Sequence, residues 1–330
     1  MKIDFDWKPL ALVPALAALA MLAITASGSS ASTWLTLTVA GLAMGMIIFV
    51  IASGLTLVFG LMDVLNFGHG VFIALGAFMA TSVLGAMGDW TGSHELWRNL
   101  FAVLSAMVVA MLVAGAVGLA FERFIVRPVY GQHLKQILIT MGGMIIGEEL
   151  IKVIWGPLQI ALPLPEALRG SWMLGDAGIE KYRALAVLLG VAVFAVLAWT
   201  LSRTKLGLLI RAGVQDREMV EALGYRVNRL FVGVFVVGSA LAGLGGVLWG
   251  LNQQNVTAQI GAQVNVLIFI VIIMGGLGST GGALIGALLV GLMANYTGFL
   301  LPKAALFSNI VLMAAVLLWR PQGLYPVTNR

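Results

Sequence analysis

The chain has 330 residues, of which 60% are hydrophobic and only 10% are charged, and its mean hydropathy is +1.02. Soluble domains carry roughly 25% charged residues, so this composition excludes a water-facing globular protein. The absence of cysteine excludes disulfides and thiolate metal sites. The chain has only three histidines, His69, His94 and His133, so no metal site is expected. In a membrane protein the net charge of +5 is explained by basic cytoplasmic loops, and no nucleic-acid partner is expected.

Apolar runs long enough to cross a bilayer recur along the chain. Division at charges, polar loops and Pro/Gly clusters predicts an all-α, polytopic transmembrane bundle of about ten spans, which forms a single domain over residues 1–330. The predicted spans are 10–26, 36–60, 70–87, 100–121, 134–156, 182–202, 229–251, 264–277, 282–299 and 305–319. The bundle is expected to contact membrane lipid.

The distribution of Lys and Arg predicts how these spans are oriented. If the N-terminus is inside, thirteen of the 19 basic residues fall on the cytoplasmic side and five on the outer side, while Lys152 lies within a span. Cytoplasmic loops are enriched in Lys and Arg, so both termini are predicted to be cytoplasmic.

The first span allows two interpretations. Its short apolar core and small-residue end, "LALVPALAALAMLAITASGSSAS", are typical of a secretory signal peptide. The preceding "MKIDFDWKP" has two aspartates that offset its two lysines, whereas a signal peptide is positively charged there. A retained transmembrane helix is therefore favoured, with residues 1–35 forming an extra N-terminal helix and outer loop.

A polar octet, "DVLNFGHG" at 63–70, separates the second and third spans. Asp63, Asn66, Gly68 and His69 predict a break between two helices, because irregular backbone at membrane depth is tolerated where it is buried in protein or lines a cavity. Asn66 and His69 are expected to hydrogen-bond the backbone at this bend. A gate in a translocation path is compatible with this bend and is the second interpretation, and a proton relay through His69 is a third alternative.

The fifth span carries Glu148, Glu149 and Lys152, although a charge at the bilayer centre costs at least about 2.5–3.5 kcal/mol. Glu148 and Lys152 are four residues apart and therefore share one face of a helix. They are interpreted as an ion pair that fixes the helix against its neighbours, with Glu149 near the interface. The alternative is that they form the polar lining of a translocation path.

Two stretches between spans are predicted to lie outside the bilayer. The segment 157–181 is long, Pro-rich and mixed in charge, and it falls on the outer side. The segment 203–229 is the most charged part of the chain and falls inside. Its central residues alternate between apolar and charged, so it is either a solvated interfacial helix or a docking element for a cytoplasmic partner. The apolar residues are Val214, Met219, Val220 and Leu223.

The late motif "GGLGSTGG" places Gly276, Gly278 and Gly281 at the spacing of a dinucleotide-binding loop. That fingerprint requires a preceding strand and a later acidic residue, but here a membrane span precedes it and no Asp or Glu follows Glu221. A second break between helices is predicted instead. The alignment of "NFGHGVFIALGAFMA" with "GLGSTGGALIGALLV" also indicates a weak internal repeat, in which Gly68 corresponds to Gly278.

Many of the 41 glycines lie four residues apart within predicted spans. This spacing allows two transmembrane helices to approach closely, so these glycines are predicted to be packing positions. The pairs are Gly41/Gly45, Gly143/Gly147, Gly246/Gly250 and Gly282/Gly286. No P-loop occurs in the chain, so any ATP must be hydrolysed on another polypeptide.

Three motifs, in this order, resemble the branched-chain amino acid ABC transporter permeases of the LivH/LivM group. They are "SGLTLVFGLMDVLNFGHGVFIALGAFMA" at 53–80, "GLLIRAGVQDREMVEALGYRVNRLFVGVFVVGSALAGLGGVLWG" at 207–250 and "IMGGLGSTGGALIGALLVG" at 273–291. The "NFGHG" form is closer to the LivH-like member than to the LivM-like member. The resemblance covers about residues 36–325 and leaves out the first span.

The resemblance implies an inner-membrane permease subunit of an importer for amino acids, with no cofactor and no enzymatic activity of its own. The implied partners are two cytoplasmic ATPase subunits, an extracytoplasmic solute-binding protein, and a second permease subunit that is LivM-like or another copy of this chain. The outer loop 157–181 would meet the binding protein, and the loop 203–229 would couple to the ATPases. The candidate coupling residues are Arg211, Asp216, Glu221, Ala222 and Gly224. The Glu-Ala-Ala-x₃-Gly spacing of many importer permeases is absent, which leaves open which of them make the contact.

The resemblance also leaves the solute open, because related permeases are assigned to urea, short amides and aromatic acids as well as to branched-chain amino acids. In such systems the binding protein does much of the selecting. The alternative function, from a different class of protein, is a stand-alone secondary transporter. Such a transporter would use Glu148, Lys152 and His69 for ion coupling.

Overall fold

The computed structural model describes residues 7–215 and 217–326. These residues form thirteen α-helices, which confirms the all-α prediction. The helices are α1 (Trp7–Ala26), α2 (Ala31–Met62), α3 (His69–Ala86), α4 (Gly88–Thr91), α5 (Leu96–Phe121), α6 (His133–Trp155), α7 (Lys181–Arg203), α8 (Lys205–Gln215), α9 (Arg217–Ala222), α10 (Val227–Gln253), α11 (Ile260–Gly275), α12 (Thr280–Leu300) and α13 (Ala305–Trp319).

Ten of the described helices have 15 or more residues, and each coincides with one predicted span to within a few residues. Seven of them are long and apolar enough to cross a membrane. Of the other three, α6 carries four charged residues, and α11 and α13 have 16 and 15 residues. The prediction of a multi-pass membrane bundle is confirmed.

Helix α2 lies at the centre of the bundle. Its residues 47–59 are buried without interruption, because α12, α10, α7 and α11 pack against it. Gly41 and Gly45 lie against α12, where a Cβ built on Gly45 would be 2.8 Å from the Cα of Leu288. The prediction that this glycine pair packs two helices is confirmed, and close backbone approach replaces the large side chains of a soluble core.

Helices α2 and α10 run antiparallel and are each followed by a left-handed residue and a short non-helical segment. Asp63 (φ 54°) follows α2 and Gln254 (φ 56°) follows α10, and they are the two non-glycine residues with positive φ in the described part of the chain. Six residues after each, α3 and α11 begin. The second residues of these helices, Gly70 and Gly261, meet backbone to backbone. The two units are thus related in inverted orientation.

The internal repeat predicted from the glycine motifs matched the break before α3 with the break before α12, which is not the pair of units that the structure relates. It matched Gly68 with Gly278, but Gly68 has φ −70° and Gly278 has φ +81°. The structure instead pairs the α2–α3 unit with the α10–α11 unit, in which Gly70 and Gly261 are the equivalent glycines. The breaks after α2 and α10 are similar in backbone geometry. An alignment of residue types does not detect a similarity of this kind.

Two small antiparallel sheets lie at the end of the bundle where α6 ends and α7 begins. Strands β1 (Ile160–Ala161), β2 (Ser171–Leu174), β3 (Ala177–Glu180) and β4 (Asn255–Val256) are described. β1 pairs with β4, and β2 forms a hairpin with β3. The predicted outer loop 157–181 is therefore an ordered cap, attached to the segment that follows α10.

Helix α1 packs against the rest of the bundle. Ile24 and Ala20 are buried against Tyr296 of α12, and the indole nitrogen of Trp34 donates to the carbonyl oxygen of Ala17. These contacts favour α1 as a span of the folded protein.

Candidate translocation path and coupling loop

The polar octet forms a break between α2 and α3, as predicted. The backbone N–H of Asp63 donates to the carbonyl oxygen of Phe59, and its left-handed conformation ends α2. Residues 64–68, here called the bend segment, have no helical structure, and α3 begins at His69.

The bend segment runs back into the bundle alongside α2. Nε2 of His69 lies 3.3 Å from the carbonyl oxygen of Ile51, which accepts only, so Nε2 is the donor. Ile51 precedes Asp63 by twelve residues, or about 18 Å along a helix. The returning chain includes a turn at residues 67–68, in which the N–H of His69 donates to the carbonyl oxygen of Asn66. Helix α3 therefore begins beside the buried middle of α2, where Gly54 faces the His69 ring.

Two neighbouring helices clamp the backbone of the bend segment at Phe67. Its N–H donates to Oγ1 of Thr140 on α6 at 3.2 Å, and its carbonyl oxygen accepts from Nδ2 of Asn265 on α11 at 2.9 Å. The Phe67 ring stacks on Phe269 of α11, with centroids 4.5 Å apart. The exposed peptide groups of a broken helix are thus satisfied by side chains, as the apolar environment requires.

The two polar side chains predicted to hold the bend behave differently. His69 anchors it through Ile51, as predicted. Asn66 is fully buried, yet neither its amide nitrogen nor its amide oxygen has a hydrogen-bond partner among the described residues. The prediction that Asn66 hydrogen-bonds the backbone is wrong in this conformation.

Further buried polar atoms without a partner in the described part of the chain lie on the elements that hold the bend. They are Nδ1 of His69, Oε1 of Gln136 and Oδ1 of Asn265. Leaving a buried polar atom unpaired costs about 1–3 kcal/mol, so a group of them requires an explanation. Sequence reasoning missed Gln136, Thr140 and Asn265, because isolated polar residues within spans carry no local signal.

An aromatic wall closes the bend on the side of α5. A Cβ built on Gly68 would overlap the ring of Phe121, and Gly143 of α6 faces the same ring. Phe121 in turn stacks on Phe235, with centroids 6.3 Å apart. A side chain at position 68 would displace the Phe121 ring, so the glycine at this position is explained by packing rather than by chemistry.

The late glycine motif forms a second break, but at a different depth. Gly276 (φ 103°) lies against the carbonyl of Tyr325, and Gly278 lies against Gly60 near the end of α2. Gly60 is nine residues beyond Ile51, or about 14 Å along the helix. The two predicted path motifs therefore adjoin the same helix at different levels. Gly281, the last glycine of the motif, has open space around it, since nothing lies within 4 Å of a Cβ built there.

The charged residues of α6 form a different ion pair from the predicted one. Nζ of Lys152 contacts Oε1 of Glu149 at 2.6 Å, and the predicted partner Glu148 has an unpaired, buried Oε1 among the described residues. The pair lies opposite the packed stripe of α6, which is Gln136, Thr140, Gly143 and Ile151. The Glu149 side chain is 63% exposed.

This exposed pair lies beyond the level of the bend, toward the end of α6. Thr140 contacts Phe67 of the bend segment, and Glu149 is nine residues further along α6, or about 14 Å. Lys152 is three residues before Trp155, where α6 ends.

The predicted coupling loop folds as two short helices, α8 and α9. Glu221 and Ala222 end α9, and Gly224 (φ 87°) follows in the left-handed conformation, with its N–H donating to the carbonyl oxygen of Glu221. Asp216 lies outside the described residues, as does the side chain of Arg211.

Val220 fixes this loop to the bundle by packing against Val227 and Phe231. Met219 and Leu223 are 58% and 69% exposed. Exposed apolar residues beside exposed charges such as Glu221 are typical of a protein-binding surface.

Ten long helices, seven of them long and apolar enough to cross a membrane, define a polytopic membrane protein. The described residues contain no group of three or more His, Cys, Asp or Glu that could hold a metal ion. Residues 37–319 match the family described as branched-chain amino acid transport system / permease component. The chain belongs to this family of transport permeases, which are not enzymes.

Curated relatives support the LivH-like assignment. The chain is 30% identical to the high-affinity branched-chain amino acid transport system permease protein LivH of Escherichia coli (strain K12), over 86% of this chain and 92% of that protein. It is 29% identical to BraD of Pseudomonas aeruginosa, over 86% and 93% of the two chains. It is 25% identical to LivM of Escherichia coli (strain K12), over 86% of this chain and 69% of LivM. No solved structure matches the chain.

Proposed function

We propose that this chain is the LivH-like permease subunit of an ABC importer that moves branched-chain amino acids across the inner membrane. The observation that carries the proposal is the buried group of unpaired polar atoms around the bend segment, in a chain that belongs to a transport permease family. Partner ATPases would supply the energy, and a solute-binding protein would deliver the solute. Both termini would lie in the cytoplasm, because thirteen of 19 basic residues then do so.

The bend segment would form part of the solute path. His69 is committed to Ile51 and holds the bend, whereas the Asn66 amide is free among the described residues to meet a polar group. Both are fully buried, so this conformation is closed at their level. Alternating access would expose Asn66 as neighbouring helices separate.

The charged face of α6 would pack against the second permease subunit. This face carries the exposed Glu149–Lys152 pair within a predicted span, where contact with lipid is unfavourable. A second permease, LivM-like or a copy of this chain, would cover it and complete the path between the two subunits.

Photo-crosslinking tests this placement of α6. Because the chain contains no cysteine, a label on an introduced cysteine reports the surroundings of that position alone. Ile145→Cys on α6 and the control Leu112→Cys on α5 replace residues that are 58% and 68% exposed. After labelling with benzophenone maleimide in membranes that contain the whole transporter, position 145 is expected to give an adduct of permease size, and position 112 is not. Adducts with lipid alone from both positions would contradict the placement.

Two exposed apolar surfaces would receive the soluble partners. On the cytoplasmic side Leu223 is 69% exposed in the coupling loop, and on the outer side Leu174 is 65% exposed in the β2–β3 hairpin. The coupling loop would bind an ATPase, and the hairpin would bind the loaded binding protein.

A matched pair of variants in reconstituted vesicles tests the proposed function. Wild-type uptake of leucine is expected only with ATPase, ATP and binding protein together. Leu223→Glu is expected to lower uptake at least tenfold and to lose the ATPase on copurification, because a charge enters an apolar contact. Leu174→Glu is expected to lower uptake similarly but to retain the ATPase and to lose the binding protein.

Each variant is the other's control for folding and insertion. Uptake by the permease alone, driven by a proton or sodium gradient, would overturn the importer proposal. Normal uptake by both variants would remove these two surfaces from the mechanism.

A further inference from the structure

A basic cavity lies where the coupling loop meets the end of α5. Beyond Phe121, α5 continues as a π-helical segment (Glu122–Val126) and a 3₁₀ turn (Arg127–Val129). The cavity between this extension and the first turn of α10 has a volume of about 850 Å³. The charged residues that line it are Arg123, Arg127, Arg226, Arg229, Glu122 and Glu221.

The charge of the cavity is positive and unbalanced. All four arginines are exposed, and none forms an ion pair within the described parts of the chain, 7–215 and 217–326. Glu122 is buried and accepts a hydrogen bond from the Tyr130 hydroxyl at 2.7 Å. Four arginines and two glutamates leave an excess of two positive charges facing the opening.

Exposed apolar residues follow the cavity along α5 and α10. Val232 lines the cavity, and within the next two turns Val237 of α10 and Leu119 of α5 are 49% and 46% exposed. Phe124, between two of the arginines, is 74% exposed. The cationic mouth therefore lies within two helical turns of exposed apolar residues on both helices.

We propose that this cavity binds the phosphate headgroup of an anionic phospholipid, whose acyl chains lie along the apolar face formed by α5 and α10. Guanidinium groups pair with phosphate oxygens in bidentate geometry, and basic pockets between transmembrane helices on the cytoplasmic side suit such headgroups. An acidic segment of a soluble protein would match the arginines but not the apolar face above them. A phospholipid matches both, and its binding does not depend on which solute the permease carries.

The cavity also adjoins the coupling loop, since Glu221, Gly224 and Tyr225 line it. A bound headgroup would therefore lie between α5 and the segment that joins α9 to α10. Through this contact an anionic lipid would fix the position of the coupling loop on the bundle.

Native mass spectrometry of the purified full-length chain tests the proposal. Dioleoylphosphatidylglycerol is the probe, and dioleoylphosphatidylcholine is the uncharged comparison. Arg123→Gln/Arg127→Gln is expected to weaken phosphatidylglycerol binding roughly 30-fold, because each basic residue near an anionic surface contributes about 1 kcal/mol and 1.4 kcal/mol is tenfold. Phosphatidylcholine binding is expected to be unchanged. The control is Arg203→Gln, an exposed arginine at the end of α7 outside the cavity.

The outcomes separate lipid binding from other uses of the cavity. Equal retention of phosphatidylglycerol by wild type, the double variant and the control would overturn the proposal. Unchanged phosphatidylglycerol binding with loss of the copurifying ATPase would assign the cavity to the ATPase instead. If the double variant does not fold, Arg226→Gln/Arg229→Gln alters the opposite wall, and the same weakening is expected.

Discussion

Replacing Gly261 by alanine is expected to prevent the bundle from folding. A Cβ at this position would overlap the carbonyl oxygen of Gly70, which is backbone and cannot rotate away. Overpacking in a well-filled core costs about 1–3 kcal/mol even where side chains can adjust, and here the two helices themselves must separate. The expected result is a loss of monodisperse protein in detergent, measured by size-exclusion chromatography and by the melting temperature.

The matched control for this substitution is Gly85→Ala near the end of α3. Nothing lies within 4 Å of a Cβ built on Gly85, so the substitution is expected to leave the melting temperature unchanged or to raise it slightly. A folded Gly261→Ala variant with wild-type stability would show that α3 and α11 do not meet at Gly70.

Replacing Asn66 by leucine is expected to raise stability and to abolish uptake. Leucine keeps the branched shape of asparagine but is larger, which costs about 1–3 kcal/mol in a packed site. Against this, it removes two buried polar atoms that have no described partner, each of which costs about 1–3 kcal/mol. The gain expected in the free energy of unfolding is therefore about 1 kcal/mol or more. If the Asn66 amide meets the solute during transport, uptake falls at least tenfold, because the solute's polar groups lose their partner.

Asn265→Leu is the contrasting variant, since the Asn265 amide nitrogen holds the carbonyl oxygen of Phe67. Its stability and its uptake are expected to fall together. Thermal unfolding and uptake in vesicles are measured on both variants. Wild-type uptake by Asn66→Leu would exclude a role for Asn66 in the path, and a loss of stability would show that it holds the bend after all.

The sequence predicted the features that depend on local composition. All ten long helices coincide with predicted spans, because apolar runs and charged loops are properties of neighbouring residues. The octet at 63–70 predicted a break, since aspartate, asparagine and histidine are costly inside a transmembrane helix. The anchoring role of His69 followed from the same argument.

The features that sequence reasoning missed depend on distant contacts. The depth of the bend is set by the pairing of His69 with Ile51, and its clamps come from Thr140 and Asn265, which lie 73 and 198 residues from Phe67. The i,i+4 rule allowed Glu148 to pair with Lys152, but the i,i+3 neighbour Glu149 does so instead. Helical spacing permits both pairs, and the tertiary surroundings decide between them.

The contact between Gly70 and Gly261 brings the N-terminal ends of two helices together within the membrane. A helix N-terminus is equivalent to about half a positive charge, so the two ends together place roughly one positive charge at the depth of the bend. Positive half-helix ends within a membrane oppose the passage of protons and cations. A zwitterionic amino acid carries no net charge across this barrier, whereas a sodium ion or a proton would meet repulsion. The inverted pair of broken helices would therefore act as an electrostatic seal, which lets an importer open to a neutral solute without dissipating the membrane potential.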